Sequence, residues 1–193
     1  TMGATKYLAE KITLDCNKNS SVNSFCVRFG NVLSSRGSVI PSMVKGIKNN
    51  GKIWISDGDV TRFAIPIDEA ASLVVDALDL SNGGEIFVLK MKSFSIKQLV
   101  DVLINLKLTD EKIIIEERGL TQGEKLHEDL VSSDELPRLW ESEKHYVIMP
   151  YGENPPSNNS FSKSTMEIYN SGTEEMFTND EIKSEILRYL NEV

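Results

Sequence analysis

Two places in the sequence carry side chains whose type and spacing could serve a reaction or hold a charged ligand. Met2 and Lys6 are four residues apart, and on a helix this spacing puts both side chains on one face. Taken alone, Lys6 is better explained as a solvated helix lysine. Arg62, in VTRFAI, is always charged and can bind a phosphate through parallel hydrogen bonds. The alternative for Arg62 is an ion pair with Asp57 or Asp59.

A third candidate lies where a strand ends. The stretch SFCVRFG (24–30) is a short run of strand-forming residues that stops at a glycine, directly before Asn31. In open α/β sheets, ligands bind at the carboxyl ends of the strands. This position makes Asn31 a candidate ligand residue. The alternative is an ordinary strand-to-loop turn with a buried asparagine that bonds to the backbone.

The elements that must position these residues follow an alternating pattern. Helices are predicted at 3–16, 68–80 and 96–106, a loop leading into a helix at 38–50, and strands at 24–30, 52–55, 85–89 and 112–117. A turn-rich segment at 151–164 precedes a last helix at 178–193. Alternation of helices and strands predicts an α/β fold with parallel strand pairing.

Individual residues support the helices. An apolar stripe with a spacing of four residues is formed by Ala4, Leu8, Ile12 and Cys16. Asp68 is predicted to cap the helix at 68–80. Capping boxes are predicted for Ser95 with Gln98 and for Thr178 with Glu181.

Composition excludes several classes of function. The net charge of −8 opposes binding to nucleic acid or to an anionic membrane, although local arginines can still bind a small anion. The sequence contains no apolar run of about 18 residues and therefore predicts no membrane span. No secretion leader is visible either, so we expect a cytoplasmic protein. The only cysteines, Cys16 and Cys26, are predicted to be buried and reduced, without a metal site.

Four stretches together indicate a family. They are MGATKYLAEK (2–11), VRFGNVLSSRGSVIP (27–41), GDVTRFAIPIDEAASLV (58–74) and GLTQGEKLHEDL (119–130). Their order and spacing resemble the C-terminal portion of the extended short-chain dehydrogenase/reductase superfamily. Within it, the chain is similar to the nucleotide-sugar 4,6-dehydratases of the polysaccharide biosynthesis (CapD/CapE-like) family. The resemblance covers roughly residues 1–150.

The resemblance implies a nicotinamide cofactor, NADP or NAD. Met2 and Lys6 would lie on the catalytic helix, with Lys6 bound to the nicotinamide ribose and the backbone of Phe29 and Gly30 near the nicotinamide. Most of the superfamily has tyrosine at the position of Met2. A thioether has no proton to donate, so the proton chemistry would lie elsewhere, with Lys6 and residues outside this chain.

The resemblance also implies a site for a UDP-sugar. Asn31 would lie near the sugar diphosphate, Val39 against the uracil, and Arg36 towards either the diphosphate or solvent. Arg62 would bind the diphosphate, and Glu124 would accept hydrogen bonds from the ribose hydroxyls.

The sequence departs from the family pattern beside this site. Thr121 and Gln122 hold places where relatives commonly have a basic pair, and Arg118 or Lys125 could substitute for it. His127 follows in a run that looks helical, and we expect a structural rather than a catalytic role for it.

The implied reaction starts from UDP-N-acetylglucosamine. A hydride passes from sugar C4 to the cofactor, water is lost across C5–C6, and the hydride returns to C6. The product would serve polysaccharide or glycan synthesis. A UDP-sugar 4-epimerase would share every motif, and a non-catalytic remnant that binds UDP-sugar is a further alternative.

The expected architecture is the C-terminal part of a Rossmann-like fold with a small substrate-binding lobe. The chain contains no G-x-G-x-x-G, the turn that holds a dinucleotide pyrophosphate. We therefore expect the Gly-rich N-terminal half to be absent and the chain to be inactive alone. Residues 1–135 are predicted to form the cofactor- and sugar-nucleotide-binding part and 136–193 a C-terminal extension, in a homo-oligomer.

Overall fold

The computed structural model describes residues 2–19, 21–35, 37–155 and 160–192, without the side chains of Met2, Lys18, Asn19 and Glu192. The helices are α1 (Met2–Asn19), α2 (Val39–Asn50), α3 (Ile67–Leu80), α4 (Ile96–Asn105) and α5 (Asn179–Glu192). The strands are β1 (Cys26–Arg28), β2 (Asn31–Val32), β3 (Lys52–Ile55), β4 (Thr61–Ile65), β5 (Ile86–Leu89), β6 (Ser93–Ser95), β7 (Ile114–Glu117), β8 (Asp129–Val131), β9 (Leu139–Glu141), β10 (His145–Ile148), β11 (Ser162–Lys163) and β12 (Tyr169–Asn170).

The chain forms two compact units. The first unit contains residues 1–29, 68–90 and 130–169. Its sheet has the strand order β1-β5-β10-β9-β11, in which β1 and β5 are parallel and the remaining neighbours are antiparallel. Every residue of β5 and β10 is buried. The apolar side chains of these strands therefore form the centre of the first unit.

The second unit contains residues 30–67, 91–129 and 170–193. Strand β4 pairs in parallel with β2 and antiparallel with β6, while β3 and β7 form a separate parallel pair. Its core includes the buried residues Ile40, Val44 and Ile47 of α2, Leu99 and Leu103 of α4, and Ile182 and Ile186 of α5. The amphipathic patterns of these helices thus meet in one apolar cluster.

The α/β fold with parallel pairs is confirmed, but the sheet of the first unit is mixed. The sequence reading missed β9 and β10, which pair antiparallel to each other. Strand β10 begins with a histidine, and an apolar run of only three residues follows within it. Such a short run has no resolvable period, so only its burial in the sheet identifies it as a strand.

The orientation of α1 differs from the expectation. On the predicted apolar stripe, Leu8 is 59% and Ile12 56% exposed. The inner face instead carries Glu10, which binds Arg28 of β1 at 2.7 Å, and Asn17, whose side chain accepts the N–H of Ser24. Polar contacts rather than hydrophobicity therefore set this helix face.

The predicted burial of the two cysteines is wrong, and for Cys16 the reason is the same. Cys16 follows the exposed stripe of α1 and is exposed, while Cys26 is only partly buried. Both are free thiols. A spacing of four shows which residues share a helix face but not which face meets the sheet.

The predicted helix caps have different outcomes. The box at α5 is complete, because Glu181 N–H donates to Thr178 Oγ1 and Thr178 N–H donates back to Glu181 Oε2. At α4, Ser95 Oγ accepts the N–H of Gln98, but the Gln98 amide donates to the Phe177 carbonyl instead.

The prediction for the third helix needs correction. Helix α3 begins at Ile67, so Asp68 lies within its first turn rather than at the cap. A carboxylate there still favours the positive end of the helix dipole.

Among the described residues, no helix is both long enough and apolar enough to cross a membrane. The two compact units each combine three separate segments of the chain. The division at residue 135 into a binding part and an extension stays a prediction.

Candidate functional site

The best-defined polar site of the second unit surrounds Arg62 on β4. Its side chain is 13% exposed. Its Nη1 donates to the carbonyl oxygens of Thr61 at 2.7 Å, Lys125 at 3.0 Å and Leu126 at 3.3 Å. Strand β4 and the segment 119–128 are further joined by Thr61 N–H, which donates to the Leu126 carbonyl. Arg62 therefore holds this segment against the strand.

Two carboxylates face the remaining edge of the Arg62 guanidinium. Glu124 Oε1 lies 3.3 Å from Nη2, and Glu128 Oε1 lies 3.4 Å from Nε. Within the part of the chain that the structure describes, these are the ion-pair partners of Arg62, and the suggested pair with Asp57 or Asp59 is wrong. The sequence analysis singled out Glu124, but as a ligand of the ribose and not as the ion-pair partner of Arg62.

Glu124 is held in place by several donors. Its Oε1 accepts a hydrogen bond from Ser56 Oγ at 2.8 Å, and its Oε2 accepts hydrogen bonds from the N–H and hydroxyl of Thr121 at 3.2 and 3.1 Å. Burial raises the pKa of Glu124, but these hydrogen bonds and the charge of Arg62 outweigh it and lower the pKa. Glu124 is therefore a carboxylate with a fixed orientation.

Glu128 differs from Glu124 in its surroundings. Burial raises the pKa of Glu128, and the nearby charges of Arg62 and Lys125 do not fully offset this effect. Lys125 itself is paired with Asp129 at 3.1 Å. The Arg62 guanidinium thus lies between one well-stabilised carboxylate and one poorly stabilised carboxylate.

His127 belongs to a hydrogen-bonded chain beside Arg62. Thr61 Oγ1 lies 2.8 Å from His127 Nδ1 and 2.7 Å from Ser171 Oγ. A Cβ on Gly172 would lie 2.8 Å from His127 Nδ1, so the ring packs closely on that backbone. These contacts fit the structural role that we expect for His127. The helical run expected around His127 is absent, because no helix is assigned to the described residues 119–128.

The other predicted sugar-nucleotide residues lie on the same unit. Asn31 is on β2, opposite Ala64 of β4, and is exposed, so the alternative of a buried asparagine is wrong. Val39 is the first residue of α2 and packs partly against the core. Gly30 N–H lies 3.3 Å from Met91 Sδ. Arg36 lies outside the described residues.

The residues expected to contact the nicotinamide lie on the first unit, except Gly30. Lys6 of α1 and Phe29, which follows β1, line one cleft with a volume of about 500 Å³. Lys6 is exposed, so its ammonium can reach a ligand in that cleft. Met2 is the first residue of α1, and its side chain is outside the described part of the chain.

An ion-pair cluster of the first unit was missed by the sequence reading. Arg28 of β1 donates to both carboxylate oxygens of Glu10 and both of Glu135, and to the Leu130 carbonyl, at 2.7–2.8 Å. A signal was present in the sequence, because a charged residue within a run of apolar, strand-forming residues becomes at least partly buried and then requires a partner. The cluster fixes α1, which carries Lys6, against β1.

Comparison with known proteins supplies the family. A family model described as polysaccharide biosynthesis protein matches residues 1–150. The chain belongs to this family. Its match ends where the sequence resemblance was expected to end. The solved structure of Pen from Bacillus thuringiensis has 34% sequence identity and a TM-score of 0.86, covering 97% of this chain and 58% of that chain. The expected fold of the extended short-chain dehydrogenase/reductase type is thereby confirmed.

Three curated relatives show which proteins this member of the polysaccharide biosynthesis family is similar to. An uncharacterized membrane protein of Methanocaldococcus jannaschii is 41% identical over 190 residues, 94% of this chain and 55% of its own length. The inverting UDP-N-acetylglucosamine 4,6-dehydratase of Campylobacter jejuni is 36% identical over 165 residues, 83% of this chain and 47% of its own. A UDP-glucose 4-epimerase of Rickettsia bellii is 35% identical over 150 residues, which are 76% of this chain and 43% of its own length. The chain therefore spans about half the length of these relatives.

Proposed function

We propose that the chain is part of a UDP-N-acetylglucosamine 4,6-dehydratase that supplies a 4-keto-6-deoxy sugar for polysaccharide or glycan synthesis. The observation that carries this proposal is the 36% identity over 165 residues to a dehydratase of that specificity. The contact between Arg62 and Glu124 supports it. A diphosphate and the ribose attached to it are neighbours, so the residues that bind them must also be neighbours.

The proposed roles follow from the chemistry of each side chain. Arg62 binds the diphosphate, because a guanidinium forms charge-assisted hydrogen bonds with phosphate oxygens. Glu124 accepts hydrogen bonds from the ribose hydroxyls, and Val39 contributes an apolar wall for the uracil. Asn31, exposed beside β4, contacts the sugar diphosphate. For Arg36, both predicted alternatives stay open: its side chain contacts the diphosphate or faces solvent.

The proposed cofactor is NADP or NAD, which accepts the hydride from sugar C4 and returns it to C6. Lys6 binds the nicotinamide ribose and places a positive charge beside the C4 oxygen, while Phe29 and Gly30 bring their backbone to the nicotinamide. The exposed position of Lys6 in the same cleft as Phe29 supports these roles. Met2 occupies the position of a catalytic residue but transfers no proton.

Two alternatives keep the same binding residues. The identity to a UDP-glucose 4-epimerase, 35% over 150 residues, favours a 4-epimerase that forms the same 4-keto intermediate. The second alternative is a remnant that binds UDP-sugar without turnover. The homo-oligomer and the cytoplasmic location stay predictions.

The test is incubation of the protein, expressed together with an N-terminal half that carries a G-x-G-x-x-G turn, with UDP-N-acetylglucosamine and NADP or NAD, followed by mass spectrometry. A dehydratase yields a product that has lost one water. An epimerase yields a product of unchanged mass that chromatography separates from the substrate. Binding of UDP without any product indicates the remnant.

In the protein with its N-terminal half restored, Lys6→Ala is expected to lower the rate on the order of 10²-fold, because both orientation and electrostatic stabilisation are lost. Lys11→Ala, on the same helix, is the control and should retain the rate. Met2→Tyr should not be required for activity. A Lys6→Ala protein with the wild-type rate would remove Lys6 from the site.

A further inference from the structure

The two residues proposed to bind the nucleotide are in contact with each other. Arg62 Nη2 and Glu124 Oε1 lie 3.3 Å apart, and the side chains are 13% and 24% exposed. Solvent and salt screen such a pair less than a pair on the open surface. Any ligand that takes the place of one partner therefore acts on the other as well.

Neither partner has spare capacity on the side where they meet. A carboxylate accepts about four hydrogen bonds, and Glu124 already receives donors from Ser56, from both the N–H and hydroxyl of Thr121, and from Arg62. On Arg62, Nη1 faces backbone carbonyls, and the edge formed by Nε and Nη2 faces Glu128 and Glu124. A phosphate that binds this edge through both nitrogens displaces both carboxylates.

The distances indicate that displacement is feasible. Charge-assisted N–H···O contacts are usually about 2.7–2.9 Å long, as the contacts of Arg28 are. The contacts of Arg62 with the two carboxylates are 3.3 and 3.4 Å. These pairs are therefore looser than the cluster around Arg28.

The identity of the ligand decides what displacement costs. A free diphosphate satisfies Arg62 but leaves Glu124 without its cation, next to a new negative charge. A free nucleoside offers its ribose hydroxyls to Glu124 but leaves Arg62 with Glu128 only. A molecule that carries a diphosphate and a ribose diol in adjoining positions compensates both residues at once. A buried polar group that loses its partner costs more than the replaced bond contributes.

We propose that the Arg62–Glu124 ion pair makes this site selective for nucleoside diphosphates over free diphosphate and over free nucleosides. This inference rests on the proposed function, since it takes Arg62 and Glu124 as the diphosphate and ribose ligands. Glu124 is then a specificity-determining residue with two opposite effects. It repels a diphosphate that arrives alone, and it strengthens binding when the ribose is attached.

Glu128 provides a matched control. It faces the same guanidinium at nearly the same distance, 3.4 Å against 3.3 Å, but it has no proposed contact with the ribose. Replacing Glu128 by glutamine removes a competing negative charge from Arg62 and nothing else from the ligand. Replacing Glu124 by glutamine removes the competing charge and also weakens the ribose acceptor, because a neutral amide with one acceptor oxygen takes the place of a carboxylate with two.

The experiment measures the dissociation constants of inorganic diphosphate, uridine and UDP by calorimetry for the wild-type protein, Glu124→Gln and Glu128→Gln. Glu124→Gln should bind diphosphate about three- to tenfold more tightly and UDP about tenfold more weakly. Glu128→Gln should bind both more tightly. Thermal unfolding checks that each variant is folded. If Glu124→Gln is not folded, Glu124→Ala, which also removes the charge and the ribose acceptor, takes its place with the same expected signs.

Opposite signs for diphosphate and UDP in Glu124→Gln support the inference. The inference is overturned if Glu124→Gln shifts both ligands in the same direction or shifts neither, and the diphosphate role of Arg62 then stands on its own. The Arg62→Ala variant distinguishes a failure of the selectivity inference from a failure of the proposed function. If Arg62→Ala leaves the UDP dissociation constant unchanged, the nucleotide site of the proposed function is wrong and the selectivity argument falls with it.

Discussion

The two arginines of the candidate sites are used in different ways. Arg28 directs five hydrogen bonds at Glu10, Glu135 and the Leu130 carbonyl, all at 2.7–2.8 Å. Arg62 meets its two carboxylates at 3.3 and 3.4 Å. Arg28 is saturated by the protein and has no donor left for a ligand. The shorter carboxylate contacts thus mark the structural arginine, and the longer carboxylate contacts mark the one that can exchange partners.

At the residue scale, we predict that Arg28→Ala destabilises the protein strongly. Its loss removes the cation from Glu135, whose side chain is 5% exposed, and leaves Glu10, 13% exposed, with only the 3.5 Å contact to Lys11. Breaking a buried ion pair in this way costs about 3–5 kcal/mol. Urea unfolding measures the change. The control is Arg118→Ala, because that side chain is 55% exposed, and its effect should be below about 1 kcal/mol.

A free energy of unfolding that is unchanged in Arg28→Ala would mean that the two glutamates find other partners or take up protons. The same measurement on Arg28→Lys tests the geometry. A lysine keeps the charge but lacks the fork that binds both carboxylates, so only part of the stability should return.

At the scale of elements, the start of β2 depends on close contact with β4. A Cβ on Gly30 would lie 2.5 Å from both the Cβ and the carbonyl oxygen of Phe63. Phe63 is fully buried and cannot move aside. Gly30 therefore permits β2 and β4 to approach, and this approach brings Asn31 beside β4, the strand that carries Arg62.

We predict that Gly30→Ala lowers the free energy of unfolding by about 1–3 kcal/mol, because the added methyl group overpacks the contact with Phe63. The matched control is Gly3→Ala on α1, where no atom lies within 4 Å of the added Cβ. Alanine there should raise stability by up to about 1 kcal/mol through helix propensity. Chemical denaturation measures the free energy of unfolding of both variants. Equal changes in the two variants would contradict the close contact between Gly30 and Phe63.

At the scale of the whole molecule, charge acts in two opposing directions as the pH falls. The net charge of −8 at pH 7 implies self-repulsion, which protonation of carboxylates relieves. Glu135 works against this trend. Burial raises its pKa, but hydrogen bonds from Arg28 and the Ser132 N–H outweigh burial and lower the pKa to about 2. A carboxylate with a lowered pKa stabilises the folded state only while it is ionised.

We therefore predict that the contribution of Glu135 is complete above the unfolded-state pKa, about 4.3 for a glutamate, and is lost as the pH falls towards 2. Urea unfolding between pH 7 and about pH 2.5 measures this. Glu135→Gln should be less stable at neutral pH and less sensitive to acid. Glu143→Gln, at an exposed position, is the control. Parallel pH profiles of wild type and Glu135→Gln would contradict the assignment.

The sequence by itself predicted most of the helices, several strands, the presence of parallel pairing and the family. Local patterns carry this information, because periodicity and caps act within a few residues, as in α2, α5 and β5. The four motifs identified the family, because their order and spacing along the chain can be read directly from the sequence.

Only the tertiary structure decided which faces and partners these elements use. The stripe of α1 is exposed because Glu10 must reach Arg28 on β1, a contact 18 positions away in the chain. Arg62 pairs with Glu124 and Glu128, more than 60 positions away, rather than with the nearby Asp57 and Asp59. The sequence shows that a charge needs a partner, but only the path of the backbone brings one particular carboxylate within reach.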